Sequence, residues 1–165
     1  MFALAAVAIV GIVQWVLPPY RYKRVKPTGL KTYLEALLWR GFDNGYIMIV
    51  VEEKTEVDRF LQFAKYIDSN GTAGLELVFP LVDWSKQYYA AFKELLDDRE
   101  IAFLSGHRST DEVSEVIIVD TKQDLGLAYN LCVMILSEVF GIPDEVCAVG
   151  VTLHNIDPRN VRHGR

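Results

Sequence analysis

A hydroxyl and an imidazole separated by a single glycine form the closest approach in this sequence to a nucleophile with its base. Ser105 and His107 stand in the run Leu-Ser-Gly-His-Arg. Such a pair could serve a small hydrolase, in which the imidazole takes the proton of the attacking hydroxyl. Neighbours in a tight turn seldom reach that geometry, and no G-x-S-x-G elbow surrounds the serine. The pattern favours a solvated turn, with hydrolase chemistry as the alternative.

Two groups of carboxylates could carry general acid–base chemistry or hold Mg²⁺ or Ca²⁺. They are Glu52, Glu53, Glu56 and Asp58 in one stretch, and Asp97, Asp98 and Glu100 in another. Both stretches fall in a loop or at a helix end, where water solvates charge readily. His154 and His163 share no ligand spacing with either cysteine, and neither nucleotide-binding glycine motif occurs. The sequence predicts no catalytic residue, no metal site and no cofactor.

Aromatic residues on a predicted helix are the best candidates for binding another protein. Helical spacing assigns Trp84, Tyr88 and Phe92 to the buried face, so that Tyr89 projects to the side. Tyr and Trp are enriched where one protein docks on another. The partner-binding residues predicted from this pattern are Tyr89, Trp84, Lys86 and Lys93. Core packing of the same aromatic residues is the alternative.

Charge is distributed unevenly along the 165 residues. Residues 1–26 contain four basic side chains and no acid, whereas residues 27–165 hold 13 of the 17 Lys and Arg and all 22 Asp and Glu. The second part therefore carries a formal charge of −9. Nucleic-acid binding needs clustered Lys and Arg, and no such cluster follows residue 26. We expect an acidic domain that does not bind nucleic acid.

The first 17 residues, MFALAAVAIVGIVQWVL, contain one polar side chain, Gln14, and no charge. As a helix they would extend about 26 Å, slightly less than the roughly 30 Å hydrocarbon core of a bilayer. Pro18-Pro19 would end that helix, and aromatic and basic residues suited to the lipid–water boundary follow. The predicted membrane-interface residues are Trp15, Tyr20, Arg21, Tyr22, Lys23 and Arg24. The sequence predicts a single-pass anchor that contacts the lipid bilayer through residues 1–17.

Two other interpretations of this apolar segment stay open. A cleaved signal peptide would need a basic start and a small-x-small cleavage site after the apolar run, but no basic side chain begins the segment and Gln14-Trp15-Val16-Leu17 directly precede the prolines. A buried core helix that is apolar on all sides would need a larger protein around it. Because basic residues favour the cytoplasmic side and follow the span, we expect the C-terminal domain in the cytoplasm.

The remaining chain alternates between helical and strand patterns. Helical spacing indicates helices over about residues 30–40, 84–96 and 121–140. Runs of β-forming residues indicate strands at 46–51, 59–67, 73–79, 101–104 and 113–119, and a short final strand at 146–153. The helix caps expected from side-chain type are Asp83 or Ser85 and Thr121. Residues 43–45 and 68–71 have the composition of turns.

This order, α-β-β-β-α-β-β-α preceded by one hydrophobic N-terminal helix, predicts an α+β fold with a mainly antiparallel sheet covered by helices. The corresponding organisation is a transmembrane anchor at 1–18 and a basic juxtamembrane linker at 19–29. An acidic α+β domain follows at 30–154, and a polar tail at 155–165.

Short sequence runs suggest a family. Arg59-Phe-Leu-Gln-Phe-Ala, a glycine-containing turn, Leu75-Glu76-Leu77-Val78 and an amphipathic helix follow one another, and Leu136-Ser137-Glu138-Val139-Phe140-Gly141-Ile142 closes the pattern. Together they resemble the type III secretion chaperone-like (TY-Chap) family over roughly residues 30–145. The resemblance implies a small α+β domain that forms a homodimer or holds a partner segment, without a defined active site or catalytic residues.

The leading functional hypothesis is a non-enzymatic, membrane-tethered protein-binding module, chaperone-like or an adaptor. Its protein partner would lie at the cytoplasmic face of the membrane. One alternative is an immunity or inhibitor protein whose acidic surface neutralises a basic toxin. The other is the small hydrolase that would use Ser105 and His107.

Overall fold

Four stretches of the chain, residues 23–51, 59–108, 114–142 and 149–156, are described in this computed structural model. Their strands are β1 (Lys23–Val25), β2 (Gly41–Val51), β3 (Arg59–Ile67), β4 (Ala73–Pro80), β5 (Leu104–Arg108), β6 (Ser114–Lys122) and β7 (Val149–Ile156). Their α-helices are α1 (Leu30–Arg40), α2 (Lys86–Asp98) and α3 (Leu125–Met134). A 3₁₀ turn at Pro27–Gly29 precedes α1, and a π-helical turn at Ile135–Val139 continues α3.

The strands form one antiparallel sheet in the order β1-β7-β2-β3-β4-β6-β5. The predicted α+β class with an antiparallel sheet is confirmed. The five strands of the predicted order α-β-β-β-α-β-β-α correspond to β2 through β6. β7 and β1 extend the sheet beyond β2. The hydrophobic N-terminal helix predicted before this domain lies outside the described residues.

Helices pack on one face of the sheet because alternate strand residues present apolar side chains there. Leu61 and Phe63 of β3, and Leu77 and Phe79 of β4, are fully buried with the apolar stripe of α1 and the inner side of α3. Burying each large apolar side chain stabilises the fold by about 1.5–3 kcal/mol. This shared core fixes the positions of the helices.

The hairpin between β3 and β4 follows the turn chemistry of its sequence. The Asp68 carboxylate accepts hydrogen bonds from the backbone N–H groups of Asn70 and Thr72, each 2.8 Å long. Gly71 has a φ of 79°, a left-handed conformation that glycine adopts without a steric penalty. The predicted reversal at 68–71 is therefore confirmed.

The opposite face of the sheet carries a polar contact across its strands. The Tyr66 hydroxyl donates a 2.8 Å hydrogen bond to Asp120 Oδ1, and its ring lies over Gly74 on β4. Gln62, on the same face of β3, is 2% exposed, and its Nε2 has no hydrogen-bond partner among the described residues. An unsatisfied buried amide costs about 1–3 kcal/mol.

One predicted cap, Thr121, is wrong, and another, Ser85, is right in position but makes no capping hydrogen bond. Asp124, not Thr121, precedes α3, and its carboxylate accepts from the backbone N–H of Leu127 at 2.8 Å. Thr121 still belongs to β6 and donates its hydroxyl to the Leu75 carbonyl, so it is unable to begin a helix. Ser85 does precede α2, but its buried hydroxyl donates to the carbonyls of Pro80 and Val82 and makes no capping bond.

Four further details differ from the sequence prediction. The segment 19–29, expected to be a linker, contributes β1 to the sheet, and β7 includes residues 155 and 156 of the expected tail. The expected turn at 43–45 is a bulge inside β2, where Asn44 has a φ of 61° and the pairing with β7 shifts. β5 begins at Leu104, where the predicted strand ends.

Candidate functional site

The predicted partner-binding helix, α2, is anchored by aromatic packing. Phe92 is fully buried, with its ring centroid 4.7 Å from that of Phe79 on β4. Trp84, just before the helix, is half-buried, and its ring centroid lies 5.0 Å from that of Phe60 and 5.9 Å from that of Phe79. Core packing thus engages Trp84, which the sequence assigned to partner binding.

A buried arginine joins α2 to the end of the π-helical turn. Arg59 is 8% exposed and donates through Nη1 to the Phe140 carbonyl at 2.8 Å and to the Tyr88 hydroxyl at 3.1 Å. Its guanidinium carbon lies 5.5 Å from the centroid of the Tyr88 ring and 5.3 Å from that of the Phe140 ring. Stacking of this kind adds cation–π attraction to the hydrogen bonds. Sequence patterns give no sign of this role, because Arg59, Tyr88 and Phe140 are far apart along the chain.

Tyr89 binds the sheet and is half-buried, although helical spacing placed it to the side of α2. Its hydroxyl donates a 2.7 Å hydrogen bond to Glu115 Oε1 on β6, and the Ser105 hydroxyl of β5 donates to the same oxygen at 3.3 Å. Burial, followed by the hydrogen bond to Glu115, raises the pKa of Tyr89 above its ordinary value. The contact links α2, β5 and β6 at one point.

The two predicted lysines have different surroundings. Lys93 Nζ lies 5.8 Å from the centroid of the Phe103 ring, so that a cation covers the residue just before β5. Lys86 forms a 2.7 Å ion pair with Asp83, in which both side chains are well exposed. The ammonium group lowers the pKa of the Asp83 carboxyl. Lys93 therefore contacts the residue just before β5, whereas Lys86 belongs to the start of the helix.

The β5 edge, defined here as Leu104–Arg108, is the most open part of this region. β5 ends the sheet, and in the described part of the chain it pairs only with β6. The Leu104 side chain is 69% exposed, and a Cβ added at Gly106 would meet nothing within 4 Å. An edge strand presents backbone N–H and C=O groups that can pair with another strand. The β5 edge and Tyr89 together form the candidate binding surface.

The predicted hydrolase pair falls on this same strand. The Ser105 hydroxyl donates to a carboxylate, and the backbone of His107 is in register with that of Glu115. The His107 side chain lies outside the described part of the structure. A nucleophilic serine would instead donate to an imidazole, so the observed contact positions Ser105 against Glu115.

Only one of the two predicted acidic stretches lies in the described part of the structure. Asp97 and Glu100 border a shallow open depression of about 370 Å³ at the end of α2, which Ile101 and Phe103 also line. Glu52, Glu53, Glu56 and Asp58 lie outside the described residues. Within the described ranges, no three His, Cys, Asp or Glu side chains group as a metal site.

Only two of the predicted membrane-interface residues can be placed. Lys23 and Arg24 belong to β1 at the edge of the sheet opposite β5. Trp15, Tyr20, Arg21 and Tyr22, with the whole predicted span, precede the described residues. Among the helices of residues 23–51, 59–108, 114–142 and 149–156, none has the length and apolar character needed to cross a membrane.

Sequence reasoning did not identify Glu115 or Leu104 as part of the candidate surface. Leu104 was assigned to a strand, but its exposure depends on which strand lies beside β5. Glu115 stands in the predicted strand 113–119, and its partner on α2 depends on how the helix packs against the sheet. Comparison with known proteins adds no assignment: no family model, no curated protein and no solved structure matches this chain.

Proposed function

We propose that this chain is a non-enzymatic, membrane-tethered binding module that holds an extended segment of a partner protein along the β5 edge. The observation that carries the proposal is the open strand itself, with Leu104 69% exposed at the end of the sheet. A segment added to a sheet edge gains main-chain hydrogen bonds, and pockets for alternate side chains give it specificity.

The first three residues of β5 lack the features that usually protect an edge from pairing, and the charged residue of the strand, Arg108, stands at its far end. Leu104-Ser105-Gly106 contains neither a charge nor a proline. Gly106 carries no side chain, and the space beside it on the face of the sheet is open. An incoming strand would meet Leu104 on one face and Ser105 on the other, because successive side chains alternate.

Rigid neighbours support binding at this edge. Tyr89 is held by its 2.7 Å hydrogen bond to Glu115, and Phe103 lies beneath Lys93. Side chains that are already fixed lose little conformational entropy when a partner arrives. The aromatic residues beside β5 therefore favour capture of a segment with apolar side chains.

A second copy of the chain gives Leu104 an apolar partner in some registers and not in others. If two β5 strands paired about a two-fold axis at Gly106, each Leu104 would face Arg108 of the other copy. That register offers no apolar contact to the most exposed leucine. A partner with an apolar residue opposite Leu104 would bury it instead.

The tether in this proposal is the apolar run at residues 1–17, followed by basic residues. β1 receives the chain at one edge of the sheet, and β5 forms the other edge. The tether and the bound segment would thus occupy different edges. This separation lets the domain hold a partner while it remains attached to the membrane.

The test compares wild type with Leu104→Lys in the full chain, purified in mild detergent from native membranes. A lysine blocks edge pairing, and the exposure of Leu104 makes the cost to folding small. Partners recovered with wild type should bind the variant about 30-fold or more weakly, as expected for a residue central to binding. Asn130→Lys, which adds the same charge at an exposed position on α3, is the control and should bind normally.

Equal recovery of every partner by wild type and Leu104→Lys would overturn binding at β5. Sedimentation of the same samples tests the second copy as occupant. A concentration-dependent dimer that Leu104→Lys abolishes would replace the partner protein with another copy of this chain. Loss of the full chain from membranes during an alkaline wash would remove the tether.

A further inference from the structure

Three of the four large apolar side chains exposed in the described part of the chain lie at one corner. They are Trp39, 57% exposed, Phe42, 63% exposed, and Ile67, 43% exposed. Trp39 is on the last turn of α1, Phe42 follows in β2, and Ile67 ends β3. The backbone N–H of Ile67 donates to Asp43 Oδ1 at 3.2 Å, which holds these two strand ends together. We name these three residues the Trp39 corner.

The chain enters the sheet from the end at which this corner lies. Lys23 pairs with Val151 and Val25 with Val149, so β1 runs antiparallel to β7. β7 continues from there to Ile156, which pairs with Gly41 beside the corner. Traced backwards from Lys23, the direction of β1 therefore leads toward the Trp39 corner.

The predicted membrane span is a short distance away along the sequence. Only residues 18–22 separate the apolar run 1–17 from β1. Five residues reach at most about 17 Å when fully extended. A tether of this length keeps the sheet close to the lipid surface, with the end carrying Trp39 and Phe42 nearest to it.

We infer that the Trp39 corner contacts the lipid–water interface, with Trp39 and Phe42 inserted at the level of the headgroups. This inference rests on the proposed membrane tether. It adds a contact between the folded domain and the lipid to the one made by residues 1–17. Tryptophan is enriched at this interface because its ring combines an apolar body with a polar N–H. The corner thereby sets the orientation of the domain, in which β5 is the edge of the sheet opposite β1.

The acids near the corner are engaged with backbone groups. Asp43 accepts from the N–H groups of Asn44 and Ile67, at 3.1 and 3.2 Å. Asp68 accepts from two N–H groups of its own turn at 2.8 Å. These bonds hold the carboxylates against the protein, while the basic run at 21–26 supplies attraction to anionic headgroups.

The experiment uses the full chain reconstituted in vesicles of phosphatidylcholine and phosphatidylserine, with a nitroxide-labelled phosphatidylcholine as quencher. The chain has three tryptophans, Trp15, Trp39 and Trp84. Trp15→Phe removes the tryptophan of the span and leaves the other two. Adding Trp39→Phe leaves only Trp84, which packs against Phe60 and Phe79. Because Trp39 is 57% exposed, its replacement should not unfold the domain.

Lipid quenching of tryptophan emission should fall several-fold between the single variant and the double variant. Equal quenching of the two variants, in vesicles that keep the protein through an alkaline wash, would overturn the lipid contact while the tether stands. Protein that washes off the vesicles would refute the tether and this inference with it. Protection of Trp39 by a bound protein, without lipid quenching, would assign the corner to that protein and also overturn the inference.

Discussion

The Tyr89 hydroxyl on α2 donates a 2.7 Å hydrogen bond to Glu115 Oε1 on β6, directly beside the open strand of the sheet. The same carboxylate oxygen accepts from Ser105 on β5. The Glu115 carboxylate therefore connects α2 to β5 and β6. A surface fixed in this way can receive a partner segment with little rearrangement of its own side chains.

Tyr89→Phe removes this connection without emptying the space that the ring fills. Because the lost bond is to a charged group, the free energy of unfolding should fall by about 1.5–3 kcal/mol, or less where water replaces the hydroxyl. Urea denaturation measures the change. Tyr129→Phe is a suitable control, since Tyr129 is also half-buried and its hydroxyl makes no hydrogen bond within the described residues. Equal stability of the two variants would contradict a structural role for the Tyr89–Glu115 bond.

Arg59→Lys should destabilise the protein although it preserves the charge. A lysine has no planar group to stack on Tyr88 and Phe140, and its single ammonium replaces a guanidinium that holds two acceptors in fixed directions. We expect a loss of about 1–3 kcal/mol in the free energy of unfolding, because a buried acceptor loses its donor. Thermal or urea denaturation would measure it.

Arg99→Lys is the matched control for that substitution. Arg99 pairs with Glu138 at 3.2 Å, and both side chains are about half exposed. Exposed ion pairs contribute about 0–1 kcal/mol, so this change should have little effect. A similar loss in both variants would show that the stacking around Arg59 contributes nothing specific.

Elements specified by nearby residues could be predicted from the sequence. The hairpin at 68–71 follows from two local features. The Asp68 carboxylate accepts backbone hydrogen bonds within the turn, and Gly71 adopts the left-handed conformation that the turn needs. α1 also ends at the predicted Gly41, although this glycine has an extended backbone with a φ of −71°, and a Cβ there would lie 2.5 Å from the Leu37 carbonyl oxygen. The π-helical turn could not be predicted in this way, because it depends on how α3 packs against the rest of the core.

The displaced start of β5 has a specific cause. Glu100 adopts a left-handed conformation with a φ of 52°, and the backbone N–H of Ile101 donates to the Leu96 carbonyl. Glu100 and Ile101 therefore cap α2, although the side chain of Ile101 is typical of a strand. A glycine normally marks such a cap, and its absence concealed the helix end. β1 was missed for a different reason, since its pairing partner β7 is more than a hundred residues away in the sequence.

The candidate site was only partly predictable for the same reason. Helical spacing identified Tyr89 and Lys93, which do lie beside β5. It could not identify Glu115, because that contact requires knowledge of which strand passes beneath α2. Tryptophan is typical both of protein interfaces and of hydrophobic cores, so the residue type of Trp84 does not distinguish the two roles. Its ring contacts with Phe60 and Phe79 show that it packs in the core.

Alkaline pH should weaken the fold through Tyr66. Burial, followed by the hydrogen bond to Asp120, raises the pKa of Tyr66 above its ordinary value. The folded state keeps this proton at pH values where the unfolded chain, with a tyrosine pKa near 10, releases it. The stabilisation is fully present below about pH 10 and is lost as pH rises above it, by up to about 1.4 kcal/mol per pH unit.

Tyr66→Phe removes the ionising group and should make the alkaline loss of stability shallower. Asp120→Asn keeps the tyrosine but removes the charge beside it, so it should have the same effect to a smaller degree. Urea denaturation at a series of pH values from 9 to about 11.5 would provide the slopes. If Tyr66→Phe leaves the slope of the wild type unchanged, ionisation of Tyr66 does not govern this range.

Gly74→Ala tests the packing of the Tyr66 ring on β4. A Cβ at this position would overlap the ring, so the ring must move and its hydrogen bond to Asp120 must weaken. Overpacking of this kind costs about 1–3 kcal/mol. Gly106→Ala on β5 provides the control, because nothing lies within 4 Å of its added Cβ. In Tyr66→Ala the obstructing ring is gone, so Gly74→Ala should cost much less there. Additive losses in the double variant would mean that the ring does not restrict position 74.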